Sequence, residues 1–107
     1  MIFRIREYVI HPDKFEVFNT LFYECLLPNQ IKFGATLVVR LINNNRTRIL
    51  AIWSYLDERH YDSVEEKIIE SNLHREAQKF KYKHEPLYKE TTQTFWRSTA
   101  DFYRKGS

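Results

Sequence analysis

The chain has 107 residues, 43% hydrophobic and 16% aromatic, with a formal charge of +3. That length predicts one domain, and that apolar content excludes a disordered chain. No apolar run approaches the roughly 18 residues of a membrane-spanning helix, and the alternating start Met1-Ile2-Phe3-Arg4-Ile5-Arg6 is not that of a secretory leader.

Residues 2–10 alternate as a strand does, with Phe3, Ile5 and Val9 on one side and Arg4, Arg6 and Tyr8 on the other. His11-Pro12-Asp13-Lys14 ends the strand, and Asp13 with Glu16 three residues on reads as a helix N-terminus capped by Asp13. The helix then runs from about Lys14 to Phe33, its apolar stripe being Phe15, Phe18, Phe22 and Leu26. Pro28 should kink or break it, and Gly34 stands where a helix end wants a left-handed residue. A second strand follows over 35–42, then a hairpin tip at Asn43-Asn44-Asn45. The return strand, about Thr47–Leu56, puts Ile49, Ala51, Trp53 and Tyr55 on one face. A helical region opens near Asp57, breaks at Ser71-Asn72 and closes by Pro86; Lys89–Ser98, rich in Thr and aromatics, reads as the last strand.

Strand, helix, strand, strand, broken helix, strand predicts an α+β, ferredoxin-like (βαββαβ) fold: a four-stranded antiparallel sheet with helices on one face. Residues 1–98 form that domain and 99–107 a tail, whose Phe102 and Tyr103 should dock on the body or on a second copy. The uncovered sheet face should carry Tyr8 beside Arg4 and Arg6. An exposed aromatic face is an association site, and a two-fold homodimer covers it with a single patch used twice.

Arg6 and Tyr8, at i and i+2, lie side by side and could hold a carboxylate or enolate oxygen in a cavity enclosed by the dimer; Arg40 could join them from the second strand. Alternatively, Arg6 pairs with an acid of the second copy and Tyr8 only packs. Trp53 and Tyr55 could wall a flat apolar ligand or pack in the core. Of the four histidines, His60 and His74 are 14 apart and His74 and His84 are 10 apart, neither spacing being that of metal ligands on one helical turn. His74 or His84 could instead act as a general base, or sit exposed on a helix. Cys25, the single cysteine, reads as a buried inert thiol in a reducing compartment. Two glycines cannot build a phosphate-cradling loop. An acidic stretch over 57–70 and a basic one over 75–89 read as two solvated helix faces, and +3 is too little to imply nucleic acid.

Phe3-Arg4-Ile5-Arg6-Glu7-Tyr8 followed by His11-Pro12-Asp13-Lys14 resembles the opening of NIPSNAP proteins, an Arg-x-Tyr strand and then a Pro-Gly-Lys-like helix start. Leu27-Pro28, Gly34 and Leu37-Val38 are similar to that family's helix end and second strand, and Trp53-Ser54-Tyr55 with Arg59 to its third. Asp13 and Val39 replace residues that are often Gly there. The resemblance spans about residues 2–98 and implies the dimeric α+β barrel of the antibiotic-biosynthesis-monooxygenase-like (ABM) superfamily, two sheets packed face to face. Haem degradation by superfamily relatives uses an Asn on the first strand and a Trp and a His on the second helix. Here Glu7 or Tyr8 stands at the first position, and Trp53 and Trp96 fall on predicted strands, so that chemistry is not expected.

The expectation is a cytoplasmic homodimer, a non-catalytic ligand-binding or interaction module around a dimer cavity. Arg6, Tyr8, Arg40, Trp53 and Tyr55 would bind a small apolar or aromatic ligand, with no cofactor, metal, nucleic acid or membrane involved. The alternative is a cofactor-independent monooxygenase, isomerase or cyclase acting on a small aromatic or polyketide-like substrate, with Tyr8, His74 or His84 as the catalytic group.

Overall fold

The computed structural model describes residues 1–99, so the docking expected of Phe102 and Tyr103 lies outside the described residues. Strand β1 (Ile2–Val9) leads through a 3-10 turn (Pro12–Lys14) into α1 (Phe15–Leu21), a π-helical stretch (Phe22–Leu26) and α2 (Leu27–Lys32). Strands β2 (Thr36–Ile42) and β3 (Arg48–Tyr55) form the hairpin, followed by α3 (Glu58–Glu70), α4 (Asn72–Lys83) and β4 (Glu90–Arg97). The sheet is antiparallel in the order β2-β3-β1-β4, the ferredoxin-like arrangement that the element order predicts.

Local chemistry sets the boundaries. His11, not Asp13, caps the turn after β1: its Nδ1 accepts from the Asp13 N–H at 3.2 Å. Pro28 has no N–H for the Glu24 carbonyl, and its ring crowds that oxygen. The helix absorbs the conflict one turn earlier by widening, with the Leu27 N–H reaching back to the Phe22 carbonyl, so of the kink or break expected at Pro28 there is no break. Gly34 takes φ +110°, and a Cβ there would lie 2.9 Å from His60 Nε2. At the hairpin the left-handed residue is Arg46 (φ 58°) rather than an asparagine, because Asn43 spends its side chain accepting from the Thr47 and Arg48 N–H groups. Ser71 breaks the second helical region by capping α4, accepting from the His74 N–H at 3.1 Å, and Asn29 Nδ2 donates to the same hydroxyl. Among the described residues no helix is long and apolar enough to cross a membrane.

Ile2, Trp53 and Tyr55 pack with Phe22, Val64 and Ile68, and Ile49 packs with Phe18, Leu21 and Ala77, so this is the sheet face that the helices cover. Alternation along β1 puts Arg4, Arg6 and Tyr8 on that same face. This corrects the expectation that they face outward. The two alternating sets are as predicted, but the apolar set (Phe3, Ile5, Val9) takes the open face, joined there by Leu50, Ile52, Val39, Leu41 and Trp96 across the ladders.

Candidate functional site

A cavity of about 110 Å³ lies between the sheet and its helices. Strand β1 contributes Arg4, Arg6 and Tyr8, β2 contributes Arg40, and β3 contributes Ala51 and Trp53. Phe22 and Leu26 reach it from the widened π turn, Gln30 from α2, Lys81 from α4, and Tyr88 from the connection into β4. This is less than the roughly 150 Å³ of a cavity that takes one benzene ring, so a ligand larger than its anionic group would extend into the open groove that shares Lys81 and Tyr88 with this lining.

The cations have unequal partners. Arg4, 6% exposed, is held on all sides. Its Nη1 pairs with Glu65 Oε1 at 3.1 Å and donates to the Tyr55 hydroxyl at 3.5 Å, and its Nε donates to Gln93 at 2.6 Å. Burial works against that charge, but Tyr55 and Glu65 outweigh it and hold the guanidinium above its ordinary value. Arg6 and Arg40 have no carboxylate partner among the described residues. Arg6 Nη2 donates to Thr91 Oγ1 at 3.1 Å, and Arg40 Nη1 to Asn19 Oδ1 at 2.6 Å. Arg6 Nε and Arg40 Nη2 are buried with no hydrogen-bond partner among the described residues, an arrangement that costs free energy until an acceptor arrives.

Aromatic faces carry the rest of the load. The Arg40 guanidinium lies 4.1 Å from the Phe22 ring centre, and that of Arg6 5.0 Å from the Tyr8 ring. Tyr8 meets Phe18 and Tyr88 edge to face at 4.8 and 5.3 Å. Burial pushes the Tyr8 phenol up in spite of the nearby Arg6 and Arg4, so at neutral pH it is a hydrogen-bond donor. Burial also lowers Arg40, and burial together with the Arg6 charge lowers Lys81. A ring of cations in a desolvated pocket, with one acid already committed to Arg4, can accept an anion.

Of the residues expected from sequence, the fold brings Arg6, Tyr8, Arg40 and Trp53 around this one cavity. Tyr55 stands just behind it, accepting from Arg4 and donating to Gln30 Oε1 at 3.3 Å. His74 and His84 do not line it. His74 borders a separate crevice beside Cys25 and Asn29, while His84 caps α4, its ring 4.5 Å from that of Phe80 and its carbonyl accepting from Lys14 Nζ. Cys25 is half-buried, and burial raises its thiol. Arg4, Gln30 and Lys81 are the polar lining residues that the sequence reading left out. For Arg4 a signal existed, since it stands at i−2 from Arg6 on one strand face. Lys81 sits in a run of basic residues that reads as a solvated helix face.

No protein-family model and no curated protein matches the sequence. Solved structures do. A NIPSNAP domain protein from Burkholderia xenovorans is 19% identical, with 94% of this chain and 96% of that one covered at a TM-score of 0.76. A NIPSNAP family protein from Agrobacterium tumefaciens is 17% identical, with 94% of each chain covered at 0.76. An antibiotic biosynthesis monooxygenase is 12% identical, with 94% and 100% covered at 0.65. The chain therefore has the ferredoxin-like fold that these NIPSNAP-domain and antibiotic-biosynthesis-monooxygenase structures share.

Proposed function

We propose that the protein is a homodimeric binding module whose intrasubunit cavity holds a small aromatic carboxylate. The observation that carries this reading is the pair of buried guanidinium N–H groups without acceptors, on Arg6 and Arg40. They stand in a cavity whose remaining wall is largely aromatic and aliphatic. A carboxylate would accept from both, the neutral Tyr8 hydroxyl would donate to it, and its ring would extend past Tyr88 toward the adjoining groove. The open sheet face supports the dimer: Phe3, Ile5, Leu50, Ile52, Val39 and Leu41 make a contiguous apolar surface that a second copy would bury. The single cysteine supports a reducing, cytoplasmic setting.

A second reading is proton transfer as in an isomerase or cyclase, supported by the protonated phenol of Tyr8 beside Arg6. In it, Tyr8 would act as the acid toward an enolate whose charge the arginines hold.

Thermal melting in the presence of benzoate, phenylacetate and their uncharged amides tests the binding reading. At about ten times the dissociation constant a ligand adds roughly 1.4 kcal/mol, which raises the melting temperature of a domain this size by several degrees. The acids are expected to do so and the amides not; equal behaviour of acid and amide would overturn the reading.

A further inference from the structure

The most unusual lining group is Lys81. It reaches the cavity from the last turn of α4 and makes no ion pair among the described residues. The charged groups sharing that lining are all cations: Arg4, Arg6 and Arg40. Lys81 and Tyr88 also border an open groove on the outer side, with Gln78, Tyr82 and Glu85, so the Lys81 side chain is shared between the cavity and the surface.

We infer that Lys81 is a carbonyl-condensing amine, and that the carboxylate taken by this cavity belongs to a 2-oxo acid with an apolar or aromatic tail. The inference rests on the anion-binding reading above. In a 2-oxo acid the carbonyl carbon is bonded directly to the carboxylate carbon. With the carboxylate on the guanidinium of Arg6, that carbon lies in the cavity that Lys81 also lines. The neutral amine adds to the carbonyl carbon, nitrogen gives up its two protons, and the carbonyl oxygen leaves as water. What remains is a C=N bond to the lysine nitrogen, with no oxidant or reductant consumed. A lysine desolvated next to another cation keeps more of its neutral, nucleophilic form than a surface lysine does, and burial and Arg6 both act on Lys81 in that direction. Tyr8 and Arg40 lie on the same cavity and can hold the carboxylate while the bond forms.

Borohydride trapping with phenylpyruvate, read by peptide mass mapping, tests this on the intact protein. The exposed Lys67, Lys79, Lys83 and Lys89 serve as internal references. Reduced adduct is expected at Lys81 at several times their level, because the more desolvated amine is the better nucleophile. Lys81→Arg should lose the adduct while phenylpyruvate still raises its melting temperature, and Arg6→Met should lower the adduct at an intact Lys81. Even labelling of all five lysines, with phenylpyruvate still stabilising the parent protein, would overturn the role of Lys81 and leave the anion site standing. Absence of both labelling and stabilisation would overturn the two together.

Discussion

Replacing Arg4 with methionine should lower the stability of the fold by about 2–3 kcal/mol, whereas the same change at Arg6 should shift it by less than about 1 kcal/mol and abolish carboxylate binding. The two residues are neighbours on one strand face, two positions apart, and differ only in what surrounds them. Arg4 is paired with Glu65 and hydrogen-bonded to Tyr55 and Gln93. Removing it leaves the Glu65 carboxylate partly buried and unpartnered, a defect of 3–5 kcal/mol for a fully buried pair. The Glu65 side chain is 26% exposed, which brings the expectation down. Arg6 loses a bond to Thr91 and a contact with the Tyr8 ring. That loss is offset by removing a buried donor that has no acceptor and a cation that crowds Lys81. Urea unfolding of both variants, with and without benzoate, gives the comparison. Equal losses of stability would mean that Arg6 is structural.

A carboxylate placed on the open sheet face should split the proposed dimer. Ile5 and Ile52 are direct cross-strand partners at the centre of that face, and a two-fold contact meets each substitution twice. Burying an unpaired polar group costs at least about 2 kcal/mol for each copy, so Ile5→Glu should weaken association roughly a thousandfold. The parent is expected to sediment as a dimer at micromolar concentration and Ile5→Glu as a monomer with an unchanged far-ultraviolet circular dichroism spectrum. A parent that sediments as a monomer would remove the dimer from this account but not the cavity, which lies within one subunit.

Much of the fold was legible because its signals are local. Ser71 and Gly34 stop helices by mechanisms that one residue carries, and the alternation along β1 separated its two faces correctly. Alternation cannot say which face is covered, because shifting a strand's partners leaves its own period unchanged. Arg4-x-Arg6-x-Tyr8 looks like an outward face; it is inward because the helices arch over a polar cavity. The same masking hid Lys81, whose place is set by how the end of α4 meets the sheet. Trp53 packs in the core, 4% exposed, and also lines the cavity. His74 and His84 looked chemically apt, but helix phase and capping direct them elsewhere.

The guanidinium of Arg6 can be watched directly. In a nitrogen–proton correlation spectrum of the arginine Nε–Hε groups, benzoate should move the Arg6 resonance progressively to a plateau as its unpartnered Nε gains an acceptor. Arg48, whose guanidinium is already paired with Glu7 on the open side of the sheet, should stay in place. An Arg6 resonance that stays fixed through millimolar benzoate, or that drifts only in step with Arg48, would contradict an anion site between the sheet and its helices.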